Sequence, residues 1–438
     1  MIRLITSIFL TVAAWPAFAG VDIQEVTSPK GIKAWLVQDN SIPFAALELR
    51  FRGGTSTDPA GARGSVYLMT ALLEEGAGDR DARAFAREVE GLAASLGFEA
   101  SDDTVSVSAR FLTENRDDAI ALLRDALHAP RFDEDAIERV RAQVLSGLRS
   151  DAKDPNDIAS QAFSELAFRD HPYGSEGKGD LDSVAALSRD DLVKAHAGVF
   201  AMDRLYVGAV GDISPEELGA LLDDLLGDLP ETGAVIPPEV DVAIEGGITV
   251  VEYDTPQSVA IFGHKGVERD APEFFAAFVL NQVLGAGGFE SRLTEEVRVK
   301  RGLTYGVYSY LAPKDLAPLY MGSVSSGNER IAEAIDVIRD EWTKAARDGI
   351  TAEELASAKT FLTGAYPLRF DGNARIASIL VGMQMEDLPI EYIATRNDKV
   401  NAVTLEEVNA VAAELLKPDA LHFVVVGKPA GLETVVTD

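Results

Sequence analysis

The sequence predicts an α+β protein of two homologous domains, each a mostly antiparallel sheet packed with helices. Three observations predict it: the length, an internal repeat, and short alternating apolar runs set between long amphipathic stretches. At 438 residues the chain exceeds what one compact core accommodates. With 47% hydrophobic and 25% charged residues it has the composition of a folded chain rather than a disordered one. The repeat pairs Val184-Ala-Ala-Leu-Ser-Arg-Asp-Asp-Leu with Val400-Asn-Ala-Val-Thr-Leu-Glu-Glu-Val. Each is an apolar lead-in, a hydroxyl at Ser188 or Thr404, acidic residues and then a helical apolar pattern, which is a capped helix start written twice.

Taken in order, the elements begin with a processing signal over residues 1–19. Arg3 supplies a positive start, Leu4 to Ala14 an apolar run, and Ala17-Phe18-Ala19 a small-x-small cleavage site, so the mature chain is expected to begin near Gly20. The run is short for a bilayer span, and no later segment is long and apolar enough for one. Ala45, Leu47, Leu49 and Phe51 alternate with Glu48, Arg50 and Arg52, and Val105 to Phe111 alternates likewise. Both read as half-buried strands of a largely antiparallel sheet. Asp133 to Ser150 and Arg330 to Arg347 read as helices lying on the sheets. Leu205-Tyr-Val-Gly-Ala-Val-Gly211 and Leu421-His-Phe-Val-Val-Val-Gly427 are apolar strands ended by glycine, in register with the repeat. Val144-Leu-Ser-Gly147 matches Phe361-Leu-Thr-Gly364 upstream of them. Pro230, Gly233, Pro237 and Pro238 cluster between Leu229 and Val240, which divides the chain into residues 20–232 and 233–438.

The formal net charge of −31 makes nucleic acid and anionic membrane surfaces poor partners. Such a charge serves solubility, or else a cavity that favours cationic peptides. No cysteine is present, which excludes disulfides, thiol chemistry and Cys-ligated metal. An exported, acidic, cysteine-free chain is expected in a bacterial periplasm.

Five histidines occur, His128, His171, His196, His264 and His422, and no two lie three or four apart, so no helical His pair can chelate a metal. His171-Pro-Tyr-Gly174 reads as a turn whose histidine bonds the backbone. No Gly-x-Ser-x-Gly elbow is present. Leu284-Gly-Ala-Gly-Gly288 lacks the Lys-Ser/Thr of a phosphate loop and reads as a flexible turn between helices, or as backbone that a peptide can approach closely. Ser291 to Tyr305 puts Arg298 near a helix end and Tyr305 at a strand entry. An arginine fork can hold a carboxylate and a tyrosine hydroxyl can steady an oxyanion. Equally, the two can be an arginine bonded within the fold and a tyrosine filling the core.

Taken together, these motifs resemble the pitrilysin/insulinase family of zinc peptidases over nearly the whole mature chain. Gly285-Ala-Gly-Gly-Phe-Glu-Ser-Arg-Leu293 and Arg298-Val-Lys-Arg-Gly-Leu-Thr-Tyr305 resemble the family's second-half signatures. Gly53-Gly-Thr-Ser56, the segment Gly64 to Gly76 and His171-Pro-Tyr-Gly174 resemble its first half. The resemblance implies a half clamshell of two domains. It also implies that the Gly64–Gly76 helix is where active members carry His-x-x-Glu-His, two ligands on one helical face with a base between them. Here those positions are Tyr67, Thr70 and Ala71, and the third-ligand region Leu145 to Leu148 reads Leu-Ser-Gly-Leu. A phenol is a poor zinc ligand, a threonine hydroxyl is no base near neutral pH, and alanine has no lone pair. Glu74 and Glu75 have no histidine to accompany them. The resemblance therefore implies no metal on this chain. It implies instead a homologous partner subunit that carries the zinc, and a peptide substrate that Arg298 and Tyr305 orient. The alternative is a zinc-less scaffold or peptide-binding protein similar to the respiratory-complex core subunits of the family.

Overall fold

The computed structural model describes residues 21–433; the expected leader over residues 1–19 lies outside them. The first half builds strands β1 (Gln24–Thr27), β2 (Lys33–Gln38), β3 (Phe44–Arg52), the short ribbon β4 (Gly76–Ala77) and β5 (Arg80–Asp81), then β6 (Ser95–Ala100), β7 (Thr104–Leu112) and β8 (Leu205–Gly211). Its helices are α1 (Ser65–Ala71), α2 (Ala82–Gly91), α3 (Arg116–His128), α4 (Glu134–Asp151), α5 (Pro155–Phe168), α6 (Leu181–Ala186), α7 (Arg189–Val199) and α8 (Pro215–Leu226). The second half builds β9 (Gly247–Glu252), β10 (Gln257–Lys265), β11 (Val307–Lys314), β12 (Ala317–Gly327) and β13 (His422–Gly427). With them come α9 (Phe274–Asn281), α10 (Ile331–Asp348), α11 (Ala352–Ala365), α12 (Asn373–Met385), α13 (Tyr392–Ala402) and α14 (Leu405–Leu415).

The strand order demonstrates the duplication. The first sheet runs β1-β2-β8-β3-β7-β6 and the second β9-β13-β10-β12-β11. Without the added edge strand β1, the two orders correspond strand for strand. Each sheet also has one parallel pair in the same place, β2 with β8 and β9 with β13. All other pairings in the two sheets are antiparallel. The capped helix starts are α7 and α14. Ser188 accepts from the Asp191 N–H and Thr404 from the Glu407 N–H, while each acid reaches back to the cap residue's own N–H.

Each half has its own core on one face of its sheet. Leu49, Phe51, Val105 and Val107 pack under α1, α3 and α7 in the first, and Ala260, Phe262, Tyr320 and Phe423 under α9, α10 and α14 in the second. The opposite faces are covered by exchange. Helix α5 leaves the first half to lay Ala159, Phe163 and Ala167 on Val259, Ile261, Val424 and Val426 of the second sheet. Helix α12 leaves the second half to lay Ala377, Leu380 and Met383 on Ala46 and Val210 of the first. Gly208 on β8 shows how close α12 comes, since a Cβ there would stand 2.7 Å from the Ala377 carbonyl.

This exchange corrects one expectation. Strand β3 is covered on both faces rather than half-buried, and Glu48, on its polar face, is almost fully enclosed. The polar residues are partnered in part: Arg50 gives an N–H to Ser378 Oγ at 2.6 Å with Glu48 alongside at 3.4 Å, and Arg52 donates to the Met385 carbonyl, while the Nε of each arginine is enclosed without a hydrogen bond. Among the described residues no helix is long and apolar enough to cross a membrane.

Candidate functional site

Helix α1 is short and held from outside its own sequence. Gly64 sets it off in a left-handed conformation (φ 90°). The Asp58 carboxylate then accepts from the N–H groups of Gly64 and Val66 and from Ser65 Oγ, each at 2.8 Å, with Arg63 at 3.1 Å. Burial pushes the Asp58 carboxyl up, against the pull of those hydrogen bonds. No motif drew attention to Asp58; the signal was an acid six residues before the helix-starting glycine.

The positions where active members carry their ligands do not fit zinc. Thr70 is buried with its hydroxyl given to the Val66 carbonyl at 2.8 Å, so its oxygen serves the helix. Ala71 is exposed and Tyr67 half-buried one turn before it. Nearby, Lys178 is held to Asp151 by a 2.8 Å ion pair. Glu75 is paired with Arg139 of α4, and in the third-ligand region Leu148 is buried. Among the described residues no group of three or more His, Cys, Asp or Glu side chains could hold a metal ion.

All five histidines lie against backbone carbonyls. His128 faces Leu225 O at 2.7 Å, His171 Pro238 O at 3.2 Å, His196 Leu127 O at 2.9 Å, His264 Lys265 O at 2.7 Å and His422 Glu245 O at 2.7 Å. The turn role read for His171 holds, because its Nδ1 also accepts from the Tyr173 N–H at 3.2 Å.

In the second half, the glycine-rich stretch is tight rather than flexible. It forms a π-helical turn, Gln282–Ala286, pressed onto β11, where a Cβ on Gly285 would meet Ser309 N at 2.5 Å. The arginine of Ser291-Arg-Leu is structural: Arg292 grips Glu354 with two bonds of 2.6 and 2.7 Å and the Gly349 carbonyl at 3.1 Å. Arg298 and Tyr305 behave otherwise. Arg298 ends a second π-helical turn, Thr294–Val299, and stacks over the Phe289 ring at 4.7 Å. Among the described residues it has no side-chain hydrogen bond and no carboxylate partner. Tyr305 is 87% exposed, which rules out a core role for it. Nothing ties the two directly; they share an exposed stretch with Phe289, Val299, Tyr308 and Tyr310, the last two stacked side by side on the edge strand β11.

A polar clasp between the halves went unmarked in the sequence. The turn between β6 and β7 presents Asp102 and Asp103, and the turn between β11 and β12 presents Lys314 and Asp315. Lys314 pairs with Asp102 and sits over the Tyr173 ring at 3.9 Å. Tyr173 donates to Asp103 and accepts from the Leu316 N–H at 3.2 Å, and Arg52 stands 3.4 Å from Asp315. Burial pushes the carboxyls of Asp103 and Asp315 up, and burial beside Asp103 pushes the Tyr173 phenol up.

Comparison with known proteins identifies the family and the fold. The family model for insulinase (peptidase family M16) matches residues 33–179, and that for the peptidase M16 inactive domain matches residues 186–362. A Helicobacter pylori protein named non-peptidase homolog YmxG is 26% identical over 97% of this chain and 98% of its own. A Mycobacterium tuberculosis protein named as an uncharacterised zinc protease is 29% identical over 90% of each chain. Among solved structures, a peptidase M16 inactive domain from Pseudomonas fluorescens superposes with TM-score 0.88 at 29% identity, covering 95% of this chain and all of that one. A Helicobacter pylori protease shares the fold at 17% identity, with TM-score 0.83 over 93% of this chain and 99% of its own.

Proposed function

This chain is a member of the insulinase family, peptidase family M16, and from that premise we propose that it works as the zinc-free subunit of a two-chain periplasmic metallopeptidase. One contrast carries the reading. The helix that holds zinc in active members offers Tyr67, a self-bonded Thr70 and Ala71, whereas Tyr305 stands exposed and Arg298, half-buried over Phe289, is unpaired by any described acid. In a chain of net charge −31, an arginine left without a carboxylate supports a role toward a ligand. In the proposed assembly a homologous partner would hold the zinc, which would supply Lewis-acid chemistry there. Arg298 holds a peptide carbonyl or carboxylate, and the Tyr305 hydroxyl faces the oxygen on which negative charge develops. The leader over residues 1–19 exports the chain.

The test is to co-express the mature chain with a homologue bearing His-x-x-Glu-His and to measure peptide cleavage and zinc content of each chain and the mixture. The expected result is no stoichiometric zinc and no cleavage by this chain alone, and full activity only in the mixture. Arg298→Ala in the mixture should lower kcat/KM roughly 100-fold, as loss of one charge-stabilising donor does. A partner that cleaves equally well alone, and is indifferent to Arg298→Ala, removes the proposal. The printed name of the Helicobacter pylori relative favours a second reading, a scaffold with no enzyme role. That reading predicts a stable non-peptidase partner in a pull-down and no peptide binding.

A further inference from the structure

A cavity of 390 Å³ opens where the two halves meet, walled by β3, α9, α12, α13 and the turn Tyr366–Arg369. Its lining includes four arginines, Arg50, Arg269, Arg369 and Arg396, and one acid, Glu386. Arg396 is only 5% exposed, lies 4.5 Å over the Tyr366 ring and 5.3 Å from that of Phe278, and spends Nη1 on the Leu362 carbonyl and Asn397 Oδ1. Arg269 lies 4.3 Å over the Phe274 ring and donates to the Tyr392 hydroxyl at 2.9 Å. Arg369 stands exposed. Among the described residues none of these three has a carboxylate within ion-pair distance, whereas Arg50 has Glu48 at 3.4 Å.

The one enclosed guanidinium of the set, that of Arg396, has no described acid within ion-pair distance. Burial pushes the Arg396 guanidinium down and the Glu386 carboxyl up, so the one lining acid is itself disfavoured as a charge. Arg396 is enclosed, Arg269 half-buried and Arg369 exposed at the rim, so an entering anion meets three guanidiniums that no described acid pairs with. A planar guanidinium matches a carboxylate with two parallel donors, and the rings of Phe274, Phe275, Phe278 and Phe370 offer an apolar bed beside those donors. The volume lies within the range of small-ligand sites. We infer that this cavity binds a small organic carboxylate carried on an aromatic or branched apolar body. The assignment is independent of any peptidase role, since its residues lie on β3, α9, α12, α13, the loop before α9 and the stretch from Tyr366 to Leu388 rather than on α1 or the Arg298–Tyr305 stretch.

Isothermal titration of the mature full chain with N-acetyl-L-phenylalanine, its neutral amide and inorganic phosphate tests it. The acid should bind, with the amide and phosphate each at least tenfold weaker. Arg369→Gln should weaken the acid about tenfold, the effect of losing one charged hydrogen bond, while leaving the urea midpoint unmoved. Arg396→Gln should abolish binding; because that residue is enclosed and its loss can unfold α13, the exposed Arg369 variant decides the matter. Equal binding of acid and amide, phosphate binding as tight as the acid, or an unchanged Kd in Arg369→Gln overturns the inference.

Discussion

His264 makes the second half sensitive to acid in a way that can be worked through. Its Nδ1 donates to the Lys265 carbonyl and its Nε2 accepts from Trp342 Nε1 at 3.0 Å, so both nitrogens are committed in the neutral ring. Burial lowers its pKa from 6.5 to about 4. The unfolded chain takes up a proton below pH 6.5 that the native ring refuses until pH 4. Stability is therefore intact above pH 6.5 and lost as pH falls toward 4. At pH 5 the difference amounts to about 2 kcal/mol, rising to a ceiling of about 3 kcal/mol. His196 in the first half is lowered to about 4 for the same reason and adds a similar loss there. The enclosed carboxyls of Glu48, Asp58 and Asp103 are raised and work in the opposite direction, so wild-type stability alone does not isolate the histidine. Comparison with His264→Gln does, because the amide preserves an acceptor for Trp342 and cannot titrate. Urea unfolding followed by tryptophan fluorescence in a Trp35→Phe background, which leaves Trp342 as the reporter of the mature chain, at pH 7.5, 6 and 5 should show the variant losing about 2 kcal/mol less than the His264 protein over that range. Parallel losses in the two proteins would refute the reasoning.

Tyr173→Phe strips a donor from the enclosed Asp103 and an acceptor from the Leu316 N–H, and should lower unfolding free energy by about 2 kcal/mol or more. A change under about 0.5 kcal/mol in urea titration would mean that water replaces the hydroxyl. Gly285→Ala should destabilise by about 2 kcal/mol because its Cβ meets Ser309, whereas Gly364→Ala, on an open helical face, should be neutral or stabilising by up to about 1 kcal/mol. Thermal midpoints of the pair check the contrast. Phe163→Ala empties the seat of α5 on the second sheet and should lower unfolding free energy by about 3–5 kcal/mol. Retention of the wild-type urea midpoint would show that α5 does not couple the halves.

Features that depend on near neighbours in the chain were readable in advance. Ser188 with Asp191 and Thr404 with Glu407 write their capping boxes within four residues, and β7 alternates because one of its faces stays partly open. The degenerate ligand positions are equally local, all on one turn of α1. Strand β3 misled because its pattern alternates while its burial does not. The cover over Glu48, Arg50 and Arg52 comes from α12, more than 300 residues onward. The cavity arginines were illegible for a related reason. Arg50 lies on β3, Arg269 in the loop before α9, Arg369 on the turn Tyr366–Arg369 and Arg396 on α13, so they share no spacing, and each alone looks like any solvated charge. The clasp of Asp103, Tyr173 and Asp315 likewise joins three turns that only the tertiary fold assembles.

The reciprocal placement of α5 and α12 has the form of a domain-swapped dimer whose two copies were joined end to end. Each half lends the other the helix that closes its sheet, so a break in the segment between Leu229 and Gly246 should leave two fragments still embracing. Parting the halves would uncover both seats and the clasp together, which makes a hinge inside this chain an expensive place to bend. In the two-chain assembly proposed above, opening to a large ligand therefore falls to the seam between one chain and the next.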